Sequence, residues 1–154
     1  MKKPNTYKIN ECKVQTIKVY ETPEREFCKP ETFNQLWTET VAKADWYDAE
    51  KEHAVVFALD SRLRVKGFFL VSVGTLNEAH IHPREVFRPL VACAAASFVI
   101  MHNHPTGNPS PSDADRRVTK RLIEAERIMG IAMNDHIIHG SPDSYFSFRE
   151  HGFI

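Results

Sequence analysis

The chain has 154 residues, 42% of them hydrophobic and 26% charged, which suits one compact domain large enough to bury a core without staples. Its 20 basic residues balance 20 acidic ones, so it lacks the strong positive field expected of a protein that lives on phosphate backbones. Cys12, Cys28 and Cys93 are odd in number and contain no C-x-x-C pair, which argues against a disulfide framework and a cysteine zinc knuckle. The N-terminal Met-Lys-Lys-Pro-Asn-Thr-Tyr-Lys has no apolar stretch of the kind that marks a signal peptide. The longest apolar run, near Leu90–Met101, is too short to span a bilayer. A soluble, cytoplasmic protein with reduced thiols and no membrane partner is therefore expected.

Lys13–Tyr20 alternates loosely and is rich in β-branched residues, which predicts an edge strand within an N-terminal extension over residues 1–30. Between Pro30 and Glu50, Phe33, Leu36, Trp37, Val41 and Ala44 fall at helical spacing, predicting an amphipathic helix. Ala54–Leu59 reads as a buried strand, Asp60-Ser61-Arg62 as a turn, and Val65–Val73 as a paired second strand closed by Gly74-Thr75. His82-Pro83 opens a helix with Phe87, Leu90, Val91 and Ala94 facing inward. Pro89 is expected in its first turn, so that the regular part starts late. Ser97–His102 is a strand, Pro105–Pro111 a stiff loop, and Ser112 begins a long helix to about Met129. That helix carries Val118, Leu122, Ala125 and Met129 along one side, and Gly130 is its natural stop. Ile131–His139 and Tyr145–Phe148 complete the strands. The alternation, with hairpin-like pairing, predicts an α/β fold: a mixed central sheet flanked by helices.

Chemistry concentrates in His102-Asn103-His104-Pro-Thr-Gly-Asn-Pro-Ser-Pro-Ser112-Asp113-Ala-Asp115. Residues two apart on a strand share a face, so His102 and His104 can present imidazoles side by side. The loop with Pro105, Gly107, Pro109 and Pro111 can turn the chain so that Asp115, in the first turn of the next helix, faces them. Two neutral imidazoles and a carboxylate with a fourth position open are what a catalytic zinc needs, although such a set also suits iron or manganese. A plainer alternative stands beside this. Ser112-x-x-Asp115 fits a capping box, and Asp113 fits a charge on the helix macrodipole.

The spacing His102-x-His104, seven residues, Ser112, two residues, Asp115 resembles the JAMM signature of the JAB/MPN metalloprotease fold, which is of the cytidine deaminase-like type. The run from His102 to Ser112 is similar to the RadC branch of that fold. So are Glu52-His53 ahead of a strand ending Leu59-Asp60, Gly74-Thr75-Leu76-Asn77, His82-Pro83-Arg84-Glu85-Val86-Phe87, and Asp135-His136-Ile137-Ile138. The likeness runs from about Glu52 to Phe148, and it implies a RadC-like JAB/MPN domain over residues 31–154. The resemblance implies one zinc ion held by His102, His104 and Asp115, with Ser112 stabilising an oxyanion and an upstream glutamate acting as general base. Glu52 stands where the RadC pattern places that glutamate. Glu85 is its competitor, with a helix-start charge as its alternative role. Asp135 and His136 are candidates for orienting a zinc ligand from behind. His53, His80, His139 and His151 read as ordinary strand or surface histidines, and Arg84 as a surface cation.

The implied activity is zinc-dependent hydrolysis of a peptide or isopeptide bond, with a peptide or protein as substrate. The alternative is a RadC-type accessory protein linked to DNA repair that binds nucleic acid or a protein partner. At this length the helix-hairpin-helix region of many RadC proteins is not expected, which together with the balanced charge weighs against nucleic acid. A structural rather than catalytic zinc is a third alternative. The oligomeric state, homodimer included, stays open.

Overall fold

A computed structural model describes residues 29–74 and 81–154; the strand expected at Lys13–Tyr20, Cys12, Cys28, the 75–77 part of the Gly74–Asn77 segment and His80 lie outside the described residues. The elements in chain order are α1 (Pro30–Glu39), a 3-10 turn at Val41–Lys43, β1 (His53–Leu59), β2 (Val65–Val73), α2 (Pro83–Ala92), β3 (Ser97–Asn103), α3 (Asp113–Met129), β4 (Ala132–Ser141) and β5 (Ser144–Ser147). The strands form one mixed sheet in the order β2-β1-β3-β4-β5. β1 is antiparallel to β2 and β3, β3 is parallel to β4, and β5 returns antiparallel to β4. The expected α/β architecture with a mixed sheet is the one observed.

Alternation along the buried strands divides the core into two layers. Ala54, Val56 and Ala58 of β1 and Phe98 and Ile100 of β3 point to one face, where Val86, Phe87 and Leu90 of α2 and Leu122 of α3 cover them. Val55, Phe57 and Leu59 with Val99 and Met101 point to the other, where Phe33, Leu36 and Trp37 of α1 cover them. Because β1 and β3 are buried on both faces, they read as unbroken apolar runs rather than alternating ones. Among the described residues, no helix is long and apolar enough to cross a membrane.

Four expectations need correction. The first helix stops at Glu39 instead of continuing toward Glu50. Thr40 leaves helical backbone angles while its hydroxyl and its N–H both donate to the Leu36 carbonyl, and the apolar spacing continues through the 3-10 turn that seats Val41. The second helix is regular from Pro83, so Pro89 lies in its interior rather than its first turn. The carbonyl that Pro89 leaves without an N–H partner is that of Glu85, near the helix start, where the cost is small. Val91 is 55% exposed, and Ala94 is exposed beyond the helix end with φ 51°, so neither faces inward. Met129 is likewise exposed in the last turn of α3, while Val118, Leu122 and Ala125 pack as expected. Gly130 ends that helix in the left-handed conformation at φ 67°.

Lys66 of β2 closes the exit of α2, donating from Nζ to the carbonyls of Cys93 and Ala94. A cation at a helix C-terminus is favoured by the macrodipole. Lys66→Met should therefore lower the stability to urea by about 1 kcal/mol, read as a shift in the unfolding midpoint. An unchanged midpoint would show that the contact contributes nothing.

Candidate metal centre

One end of the sheet, where β1 begins and β3 finishes, meets the first turn of α3. The parity that sends Ile100 toward α2 and α3 sends His102 the same way, fully buried. The antiparallel register Ala54↔His102 carries Glu52, two residues earlier, level with His104 on that face. Asp115 comes down from α3. The result is a group of four side chains, Glu52, His102, His104 and Asp115, whose donor atoms all lie within 4.8 Å of one another. His102 Nε2 is 3.2 Å from His104 Nε2, 3.1 Å from Asp115 Oδ1 and 3.7 Å from Glu52 Oε1, and His104 Nε2 is 3.5 Å from Asp115 Oδ2.

His104 and Asp115 are held from behind. The His104 ring donates from Nδ1 to the Asn108 carbonyl at 2.8 Å, which leaves Nε2 as a bare acceptor aimed at the cluster. The His104 backbone N–H donates to the His139 carbonyl, and Gly107, at φ 76°, turns the loop back with its N–H on the His104 carbonyl. Ser112 and Asp115 form a full capping box, as the plainer alternative anticipated. Asp115 Oδ2 accepts from the Ser112 N–H and hydroxyl, both at 2.7 Å, so Oδ1 is the oxygen turned to His102. Capping and ligation would thus use different lone pairs of one carboxylate, and the two roles are compatible.

The electrostatics favour positive charge in this group, whether carried by a proton on His104 or by a bound cation. Burial works to raise the Asp115 pKa, but the imidazoles of His102 and His104 and the Ser112 hydroxyl hold it far below the usual carboxylate range. Burial works to lower that of His104, but Asp115, the Asn108 carbonyl and Glu52 raise it above its ordinary value. Two imidazole nitrogens 3.2 Å apart and two carboxylates in one buried group need positive charge among them. The nitrogen and oxygen donor set suits zinc. His102, His104 and Asp115 fit as three ligands, with Glu52 beside them.

A family model for the RadC-like JAB domain matches residues 29–153. The chain belongs to that family. Among the relatives of this RadC-like domain, a UPF0758 protein of Rubrobacter xylanophilus is 47% identical over 105 residues, 68% of this chain and 45% of the relative. One from Thermotoga maritima is 45% identical over 103 residues, 67% of this chain and 46% of the relative. A third, from Methanosarcina acetivorans, is 36% identical over 134 residues, 87% of this chain and 56% of the relative. The RadC-like chain spans about half the length of the curated relatives it matches.

Within this RadC-like domain the competing glutamate stays apart. Glu85 lies in the first turn of α2, paired with Arg84 at 3.3 Å and Arg88 at 3.6 Å, and takes no part in the cluster. Asp135 does not reach a candidate ligand either. It accepts from the Ser147 hydroxyl and the Arg149 and His136 N–H groups, tying β4 to β5, and burial raises its pKa. His136 does reach one, its Nε2 lying 3.0 Å from His102 Nδ1. His53 points to the opposite face with Nδ1 on the Lys51 carbonyl, and His151 caps Ser147 through its own Nδ1. His139 stacks on Trp37 with Nδ1 on Asn34 Oδ1, and burial lowers its pKa to about 4.

Two supporting residues escape sequence reasoning. Asn103, between the two histidines, accepts the His53 N–H on Oδ1 at 2.8 Å and donates Nδ2 to the Lys51 carbonyl at 3.0 Å. It thereby grips the backbone on both sides of Glu52. Thr119 stands one helical turn beyond Asp115 and bonds His136. The i, i+4 spacing from Asp115 was its only sequence signal.

Proposed function

We propose that this domain is a zinc-dependent hydrolase of amide bonds, acting on a peptide or isopeptide. The observation that carries the proposal is the buried convergence of Glu52 with His102, His104 and Asp115 at the mouth of the sheet. A zinc ion held by the two Nε2 atoms and Asp115 Oδ1 would supply Lewis acidity and a water acidified to near neutral pH.

This chain's own groups do the rest. Glu52, with the backbone of residues 51 and 53 on either side held by Asn103, accepts the proton of the attacking water on Oε1 and hands it to the leaving nitrogen. Ser112 stands exposed at the rim, its hydroxyl on Asp115 Oδ2. Turned toward a substrate, that hydroxyl offers the single donor an oxyanion needs. Ile100 of β3 and Leu122 of α3 belong to the buried core on the same face of the sheet. The names of the relatives carry no activity, so the assignment rests on this constellation.

The test is metal content with and without the ligands. Purified protein should carry about one zinc per chain, and a His102→Ala/His104→Ala variant should carry essentially none. Hydrolysis of a peptide library by the wild type should stop on chelation and return with zinc. A wild type that takes up no metal when zinc is supplied would sink the proposal and leave Ser112 and Asp115 as helix caps.

A further inference from the structure

Behind the candidate ligands runs a row of buried hydrogen bonds that the proposed reaction does not use. His102 Nδ1 lies 3.0 Å from His136 Nε2, and His136 Nδ1 lies 2.7 Å from Thr119 Oγ1. The Thr119 hydroxyl donates to the Asp115 backbone carbonyl at 2.7 Å. His102 and His136 are fully buried and Thr119 is 3% exposed. Phe148, also fully buried, stacks on the His136 ring at 4.7 Å with an 8° interplanar angle, so the ring cannot turn away.

Two neutral imidazoles in series carry their protons in one of two directions. In one, each hydrogen points away from the cluster: His102 Nδ1–H to His136, His136 Nδ1–H to Thr119, and the Thr119 hydroxyl to the Asp115 carbonyl. His102 Nε2 is then a bare lone pair. In the other direction His136 donates from Nε2, His102 must accept on Nδ1, and its proton sits on Nε2, where a cation would have to bind.

We propose that Thr119 is a positioning residue that, through His136, holds His102 in the tautomer whose Nε2 is free to ligate. This rests on the metal-centre assignment above and adds a component to it. Thr119 suits the task because its hydroxyl takes the His136 proton while placing its own on a fixed carbonyl. The row also begins and ends at one residue: it starts at the Asp115 carbonyl, passes through Thr119 and His136 to His102, and the bare His102 Nε2 then faces Asp115 Oδ1 at 3.1 Å, two lone pairs that a cation would bridge. The helix that brings the carboxylate is thereby tied to the strand that brings the imidazole. Serine can replace threonine in this arrangement, whereas valine keeps the shape and loses the hydroxyl.

The experiment is zinc competition with a chromophoric chelator on wild type, Thr119→Val and Thr119→Ser. A parallel record of ring-nitrogen chemical shifts is taken on the zinc-loaded wild type. Thr119→Val should bind zinc about 10–100-fold more weakly, the range for partners behind a ligand, and Thr119→Ser should recover most of the loss. The spectra should show His102 and His136 both protonated at Nδ1. Equal affinity in Thr119→Val, no recovery in Thr119→Ser, or a His136 protonated at Nε2 would overturn the inference and leave the metal centre standing. A wild type that binds no zinc removes both. Should Thr119→Val fail to fold, the serine variant and the wild-type spectra decide.

Discussion

Glu52→Gln is expected to lower kcat by about 10²–10⁴-fold, the usual share of a general base, while the purified variant still carries about one zinc per chain. The substitution keeps the side chain's size and replaces the basic carboxylate beside His102 with a neutral amide that cannot take a proton at neutral pH. Asn103 holds the backbone on either side, so the amide should sit where the carboxylate did. The same variant discriminates a second arrangement of these four groups. Were Glu52 a fourth ligand, the site would be closed in the manner of structural zinc, and the variant would lose metal along with any activity. Retained zinc with lost turnover identifies a base. Retained zinc with full turnover places the base elsewhere. Glu85→Gln serves as the control and should leave turnover within about twofold, an order-of-magnitude allowance for a surface change, because Glu85 is bound to Arg84 and Arg88 outside the cluster.

Much of this site is legible in one segment of sequence because its geometry is local. Strand parity places His102 and His104 on one face, and a proline- and glycine-bearing loop brings Asp115 back within a dozen residues. Glu52 is harder, since only the β1–β3 register, a pairing across fifty residues, puts it rather than Glu85 beside the histidines. The supporting residues are harder still. Asn103 works through backbone atoms of another strand, and Thr119 works through a histidine on β4, so neither leaves a pattern in its own neighbourhood. Asp135 illustrates the converse. It sits next to His136 in sequence, but neighbours on a strand point to opposite faces, and its carboxylate goes to Ser147 and Arg149 instead. The fold follows the same rule. Strands are readable from their apolar runs, whereas the end of the first helix at Glu39 and the interior place of Pro89 are not, because whether a residue ends a helix depends on which carbonyl is bonded, not on propensity alone.

Gly140→Ala is expected to weaken zinc binding about 10–100-fold and to cost about 1–3 kcal/mol of stability, although Gly140 touches no ligand. Its backbone is not in a conformation reserved for glycine; the constraint is space. A Cβ there would sit 2.5 Å from the Gly107 carbonyl oxygen, 2.9 Å from Pro109 Cδ and 3.2 Å from the Gly107 carbonyl carbon. Backbone and a proline ring cannot step aside as a flexible side chain would, so the whole loop must lift from β4. His104 is tied to that loop through the Asn108 carbonyl and to β4 through the His139 carbonyl, and lifting the loop strains one tie against the other. Gly130→Ala supplies the contrast. Gly130 has φ 67° with nothing within 4 Å of an added Cβ, so alanine there should cost about 1 kcal/mol of backbone strain and leave zinc affinity unchanged. Chelator competition and urea unfolding on both variants separate the two effects. If Gly140→Ala loses stability but binds zinc like the wild type, the loop's seat on β4 serves the fold alone, and the strand end holds His104 without it.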